Sequence, residues 1–295
     1  GVSSFGYSGT IAHAVLSATA ADVADGGQIA SPRSLLSLAY RRRAFSWRES
    51  RHLFAQQRLP PASDDARVFR SAAIGPLLAL VADHVVWGRV IFPGAGYLEM
   101  ARAAASAARA SARAAELHGV FFVQPLAVSS SVHVECAVGA GGFEVRSGGG
   151  DGDGALVDAA VHCSGGIAPS GASDGGWLGV DGAALRGGPS YRAAEVGVLY
   201  DGFDGVGLQY GPGYRTLVQA WGAARLAAAR LRTRATQQGT QVHPADLDDA
   251  LCAGTLAAGS GDDDGKTLLP FAVDAAQLRG APGQQWAVCA TPPPW

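Results

Sequence analysis

Two short stretches hold side chains whose types and spacing could move protons. In "DHVVWGRVIFPGAGYLEMA", residues 83–101, His84 precedes Gly88 by four positions and Pro93 by nine. A lone histidine in an apolar run is usually a structural residue satisfied by a carbonyl. This one is carried by a strand-like segment toward the start of a helix that Pro93 opens. The first backbone N–H groups of that helix, those of Gly94, Ala95 and Gly96, have no intrahelical acceptor and can face a developing oxyanion. An imidazole base beside such donors suits removal of a proton next to a thioester carbonyl. In "HPADLDDALCAG", residues 243–254, three acids crowd the start of a second helix. Any of Asp246, Asp248 and Asp249 would be favoured there electrostatically. Asp248 shares the largely apolar face with Ala245, Leu251, Cys252 and Thr255, whereas Asp249 is expected to face solvent. A carboxyl on an apolar face has its pKa raised and can stay protonated as a general acid. His84 and Asp248 thus form a candidate acid–base pair, one from each half of the chain.

The elements that must position this pair can be read from the periodicity. The strand-like runs are "RVFRSAAI", "HVVWGRVIF", "GVFFVQPLAV", "SVHVECAV", "FEVRS" and "ALVDAAVHCSG", with Gly-rich turns between them. One long helix is expected over "GAGYLEMARAAASAARASARAAEL", residues 94–117. After a Gly/Ser/Asp-rich connection at 166–189 the outline repeats. The turn "LQYGPGY" leads to "YRTLVQAWG" and "ARLAAARLRT", then the helix "PADLDDALCAGTLAAG", then "LLPFAVDAAQL" and "QWAVCAT". Each half is one helix of small residues with several antiparallel strands, which predicts an α+β fold of two helix-in-sheet units, their sheets joined into one layer.

Bulk properties narrow the function. Of 295 residues, 48% are apolar and 16% charged, and the net charge is −2, enough apolar material for a sizeable core and no footprint for nucleic acid. "RRRAFSWR" is short and mixed with aromatics, so it reads as a docking linker. The four cysteines, Cys136, Cys163, Cys252 and Cys289, form no C-x-x-C pair, which argues against a metal site or a disulfide framework. No apolar run is long enough for a membrane span, and there is no leader pattern, so a reducing, cytoplasmic setting is expected. The "GDDDGK" loop at 261–266 reads as a solvated loop, and His118, His133 and His162 have no ligand spacing.

At this level the residues carry a resemblance. From about 51 to 290 the chain resembles the dehydratase domain of modular type I polyketide synthases. "HVVWGRVIFP" matches the family's H-x-x-x-G-x-x-x-x-P motif, "YGPGY" at 210–214 resembles Y-G-P-x-F, and "LLPFAVDAAQL" resembles its L-P-F segment. "HPADLDDALC" resembles the helix carrying D-x-x-x-Q/H. The resemblance implies a double hotdog with N-terminal and C-terminal units at 51–165 and 190–290. It implies His84 as base, Asp248 as acid and Tyr210 near the substrate. The substrate would be a β-hydroxyacyl chain on the phosphopantetheine arm of an acyl carrier protein, dehydrated without metal or soluble cofactor. A homodimer is implied as well. Cys252 stands where the family places an acid-orienting Gln or His, and a thiol is a weak hydrogen-bond partner. Val273 replaces a frequent tryptophan.

The opening segment, residues 1–17, resembles through "GVSSFGYSGTIAHAVL" (1–16) the C-terminal end of a ketosynthase, with Ile11 in place of an Asn. His13 would be structural there, and Tyr7 would fall at an aromatic gate. Residues 18–50 read as a linker, and "YRRRAFSWRESRHLF", residues 40–54, resembles the one that follows a ketosynthase. Ketosynthase followed directly by dehydratase suggests acyltransferase activity supplied in trans, within a larger synthase polypeptide. Two alternatives remain open at this level: a cyclase or isomerase on the same fold, or a degenerate dehydratase retained as a spacer.

Overall fold

A computed structural model describes residues 2–5, 11–14, 52–60, 66–108, 115–150, 154–169, 191–257, 269–280 and 283–290. The chain divides into two units, 1–47 and 48–295. In the first, β1 (Val2–Phe5) and β2 (Ile11–Ala14) pair antiparallel. The remainder of the expected ketosynthase remnant and the linker to residue 50 lie outside the described residues.

In the second unit, β3 (Gln57–Arg58), β4 (Arg67–Ala72), β7 (Ala115–Phe122), β8 (His133–Gly139), β9 (Gly142–Gly149), β10 (Val157–Pro169) and β14 (Ala272–Gln277) form an antiparallel sheet. Its order is β14-β7-β10-β9-β8-β4-β3. Against it lies α2 (Gly94–Ala108), whose run of alanines lets the strands approach closely. Met100, Ala101, Ala104 and Ala105 are buried with Phe69, Leu117, Val120, Val134 and Val145 in one core. A smaller antiparallel sheet, β11-β12-β13-β15, joins Arg192–Ala194, Leu217–Gly222, Leu226–Leu231 and Trp286–Ala290. It carries α3 (Val196–Gly205) and α4 (Pro244–Ala253). The two central helices, α2 and α4, pack on each other. The architecture is an α+β double hotdog.

Several expectations are corrected. Among the described residues the strands expected to share one layer form separate seven-stranded and four-stranded sheets. The halves are instead joined by exchange, because β14 belongs to the second half in sequence yet pairs with β7 of the first. There Val273 packs against the first core. Glu116 and Leu117, expected at the end of the long helix, sit in β7, paired with Ala168 and Ile167 of β10 and with Gln277 and Ala276 of β14. Helix propensity in that Ala/Arg-rich tract yields to pairing on both edges. Residues 166–169, taken as linker, continue β10 for the same reason. Two further helices carry little sequence signal: α1 (Pro76–Val81) is six residues long, and α3 is interrupted by glycines. Among the described residues no helix is long and apolar enough to cross a membrane.

Candidate active site

His84 does not sit on a long strand. It follows α1 and stands at the foot of a two-residue hairpin, β5 (Val85–Val86) with β6 (Arg89–Val90). The turn residues Trp87 and Gly88 have φ of 48° and 71°. Positive φ at both central positions is the type I′ geometry that suits a tight hairpin, and it is why glycine is needed four residues after the histidine. Ile91 closes the hairpin's base: its N–H donates to the His84 carbonyl at 3.1 Å, and its own carbonyl accepts from His84 Nδ1 at 2.7 Å. A carbonyl can only accept, so Nδ1 carries a proton and Nε2 presents a lone pair in the neutral ring.

The hairpin is gripped by the second half. Gln209 N–H donates to the Val85 carbonyl, Trp87 N–H to the Gly207 carbonyl, and Gly211 N–H to the Asp83 carbonyl. Gly213 N–H donates to Asp83 Oδ2 at 2.6 Å. A Cβ on Gly211 would come within 2.4 Å of the Asp83 carboxylate, so the glycines of "YGPGY" exist to let this loop close over Asp83. Tyr210 and Tyr214 flank the imidazole, with ring centroids 5.5 and 5.3 Å away. Arginines of the second half then tie the loop down: Arg215 donates to the Tyr210 carbonyl, Arg232 to Pro212 and Arg234 to Gly213.

Asp248 comes from α4. His243 caps that helix, its Nδ1 accepting from Ala245 N–H, and Pro244 takes the first turn. Asp248 Oδ2 lies 3.7 Å from His84 Nε2, a little beyond direct hydrogen bonding. That oxygen is buried with no hydrogen-bond partner among the described residues. Burial raises the Asp248 pKa; the His84 ring and the neighbouring Tyr210 hydroxyl oppose the rise. Both residues open into a cavity of about 560 Å³. Its walls are mostly apolar, among them Phe92, Phe122, Phe203, Leu208 and Phe271.

Family models match both halves of this architecture. One, the polyketide synthase dehydratase domain, matches residues 52–148, and another, the polyketide synthase dehydratase N-terminal domain, matches 185–290. The chain belongs to the polyketide synthase dehydratase family. Among solved structures, the dehydratase domain from the CurF module of curacin polyketide synthase is similar at 22% identity, with 83% of this chain and 89% of that one covered and a TM-score of 0.71. A trans-AT polyketide synthase dehydratase domain from Brevibacillus brevis is similar at 25% identity, with coverage of 76% and 80% and a TM-score of 0.63. The hybrid PKS-NRPS synthetase apdA of Emericella nidulans is 30% identical over 130 residues, 39% of this chain; that stretch is 3% of the synthetase's length.

In this dehydratase domain the residues singled out from sequence do not all reach the cavity. His84, Asp248, Tyr210, Cys252 and Gly94 line it. Gly96 does not serve as an oxyanion donor, because its N–H is spent on the Pro93 carbonyl at 2.9 Å in the tight first turn of α2. Ala95 is fully buried in the first turn. Cys252 Sγ lies 3.3 Å from Tyr210 Oη, so the thiol meets the acid's tyrosine neighbour, and burial holds it protonated by raising its pKa. Asp249, expected in solvent, is fully buried, its Oδ2 accepting from Tyr200 Oη at 2.8 Å and from Thr216 Oγ1 at 2.7 Å. Asp246, also buried, pairs with Arg234 at 2.8 Å. Tyr97 in the cavity wall went unread too, although three residues beyond Gly94 is the spacing that puts it on the same helix face.

Proposed function

We infer that this domain removes water from a β-hydroxyacyl thioester on an acyl carrier protein, giving an α,β-unsaturated thioester. The observation that carries the reading is the 3.7 Å approach of His84 Nε2 to Asp248 Oδ2 at the wall of a mostly apolar cavity. His84, its Nδ1–H held by the Ile91 carbonyl, takes the α-proton at Nε2. The electron pair of that C–H bond forms the α,β double bond as the C–O bond at the β-carbon breaks. Asp248 delivers its proton to the departing hydroxyl, which leaves as water. The raised pKa of a buried carboxyl suits a group that must hold a proton until then. Imidazolium and carboxylate stand close enough for the proton to return through one water, restoring both. The first-turn N–H of Gly94, the one of the three that lines the cavity, polarises the thioester carbonyl as negative charge grows on it.

The step needs no metal or soluble cofactor, since the pantetheine arm arrives with its carrier. The setting is a multidomain synthase in the cytoplasm, with a ketosynthase upstream, the domain itself forming a homodimer. Mass spectrometry of a β-hydroxyacyl carrier protein after incubation with this domain tests the reaction. Loss of water that disappears in both His84→Ala and Asp248→Asn supports it. An unchanged acyl chain across a range of lengths and both hydroxyl configurations would refute it and leave a structural domain.

A further inference from the structure

Asp249 is a fully buried carboxylate that the reaction above does not use. On a helix, successive side chains turn by roughly 100°, so Asp246 and Asp249 share one face and Asp248 projects from another. The shared face is anchored twice. Asp246 receives both contacts of Arg234 Nε, at 2.8 Å each, in the first turn of α4. Asp249, one turn on, receives three donors at a single oxygen: Tyr200 Oη from α3 at 2.8 Å, and the N–H and Oγ1 of Thr216, just before β12, at 2.5 and 2.7 Å. Tyr200 is itself held, since its oxygen accepts from Leu217 N–H at 3.1 Å and the Arg215 guanidinium lies 5.3 Å over its ring. Arg215 also donates to the carbonyl of Tyr210, whose ring borders His84. A chain of contacts therefore runs from Asp249 through β12's approach to both members of the acid–base pair.

We propose that Asp249 is a positioning residue, fixing the rotation of α4 on α3 and on the approach to β12 so that Asp248 faces His84. The proposal rests on the dehydration reading for its consequence in turnover, though not for its geometry. A carboxylate is the right group, because it is acceptor-only and can take three donors at one oxygen. Asparagine keeps such an oxygen, whereas alanine strands all three donors in the core.

The test compares wild type with Asp249→Ala, Asp249→Asn and Asp248→Asn by two readouts. The first is the carbon–proton NMR signal of the His84 ring, identified by its absence from His84→Ala, its chemical shift read at one fixed pH. Asp248→Asn changes that chemical shift by removing the carboxyl that lies 3.7 Å from the ring. Asp249→Ala is expected to reproduce most of the change and Asp249→Asn to stay close to wild type. The second readout is turnover: Asp249→Ala should lower kcat by about ten- to a hundredfold with KM within about threefold, as misplacement of a reacting group does. Asp249→Asn should recover most of that loss. A folded Asp249→Ala with a wild-type His84 chemical shift and kcat within about twofold overturns the proposal. If Asp249→Ala does not fold, the double replacement Tyr200→Phe with Thr216→Val removes two of the three donors and takes the same measurements, with the same outcome deciding. A wild-type domain without turnover would count against the dehydration reading, while the NMR arm still decides the role of Asp249.

Discussion

The two halves hold their reactive groups by opposite means. The first half keeps its long helix α2 as a packing spine and puts His84 outside it, at the foot of a two-residue hairpin that its own sheet does not support. Val86 of that hairpin is buried in the second half's core, with Leu208, Tyr210 and Tyr214. The second half puts Asp248 on the helix itself and anchors that helix internally, through Arg234 on Asp246 and through Tyr200 and Thr216 on Asp249. His84 is thus positioned by both halves, through Ile91 and Val128 of its own and the 207–211 loop of the other, and Asp248 by its own. A site assembled this way exists only when the halves are docked, which ties its geometry to the interface between them.

The largest effects should come from the pair itself. On the proposed mechanism each of His84→Ala and Asp248→Asn deletes a proton-transfer group, so each is expected to reduce kcat a hundredfold or more, and both should keep the wild-type melting temperature within a few degrees. Turnover of a carrier-bound β-hydroxyacyl chain measures this. Equal, near-wild-type rates in the two variants would break the comparison at its root.

Asp249 gives the next effect, in stability. Burial lifts its pKa to about 6 despite the Thr216 and Tyr200 donors, with the Asp248 charge adding to the rise. A carboxyl whose folded pKa exceeds its unfolded value of about 3.9 favours the fold when protonated, so its contribution is complete below about pH 4 and is lost as pH rises through about 6. His243 runs the other way: burial and the nearby Arg234 charge push it down to about 3, so its contribution is lost as pH falls below about 6.5. Asp249→Asn leaves the His243 effect in place. Denaturant titrations should therefore show the variant gaining on wild type between about pH 4 and pH 7, by an amount on the order of 2–3 kcal/mol. A pH-independent difference would mean that the internal anchor of α4 carries no titrating charge.

A smaller effect tests the cross-half grip. Gly211→Ala places a methyl against Asp83, and the loop must back away from the His84 hairpin. Overpacking of this kind costs about 1–3 kcal/mol. The expected result is about a tenfold fall in kcat, with the Tyr200–Asp249 contacts intact in a crystal structure of the variant. An equal disturbance at Asp248 and at His84 would show that the two supports are not separate.

The smallest effect concerns Cys252. Its thiol meets the Tyr210 hydroxyl, and Gln at 252 would offer a stronger partner near Asp248. One neutral hydrogen bond contributes roughly 1 kcal/mol, so Cys252→Gln should raise kcat by about tenfold at most. A loss of activity instead would show that the thiol's small size is needed in the cavity wall.

Local chemistry made a large part of this legible from sequence. Gly88 is needed for a turn with positive φ, Pro93 immediately precedes a helix, and the alanines of α2 mark a face built for close packing; these are properties of single residues and short spacings. The three acids of α4 mark the limit of that legibility. Periodicity sorted Asp248 from Asp249 by counting apolar neighbours on one helix, and it sent Asp249 to solvent because its partners, Tyr200 and Thr216, lie 49 and 33 residues away. The same limit explains the helix drawn through Glu116 and Leu117, which strand neighbours from residues 167–168 and 276–277 turned into β7. Sequence by itself determined which residues could carry a proton and where the chain could turn. Only the tertiary structure decided which carboxylate faces the imidazole, because burial, and the donors that make burial tolerable, come from segments that meet only when the two halves fold together.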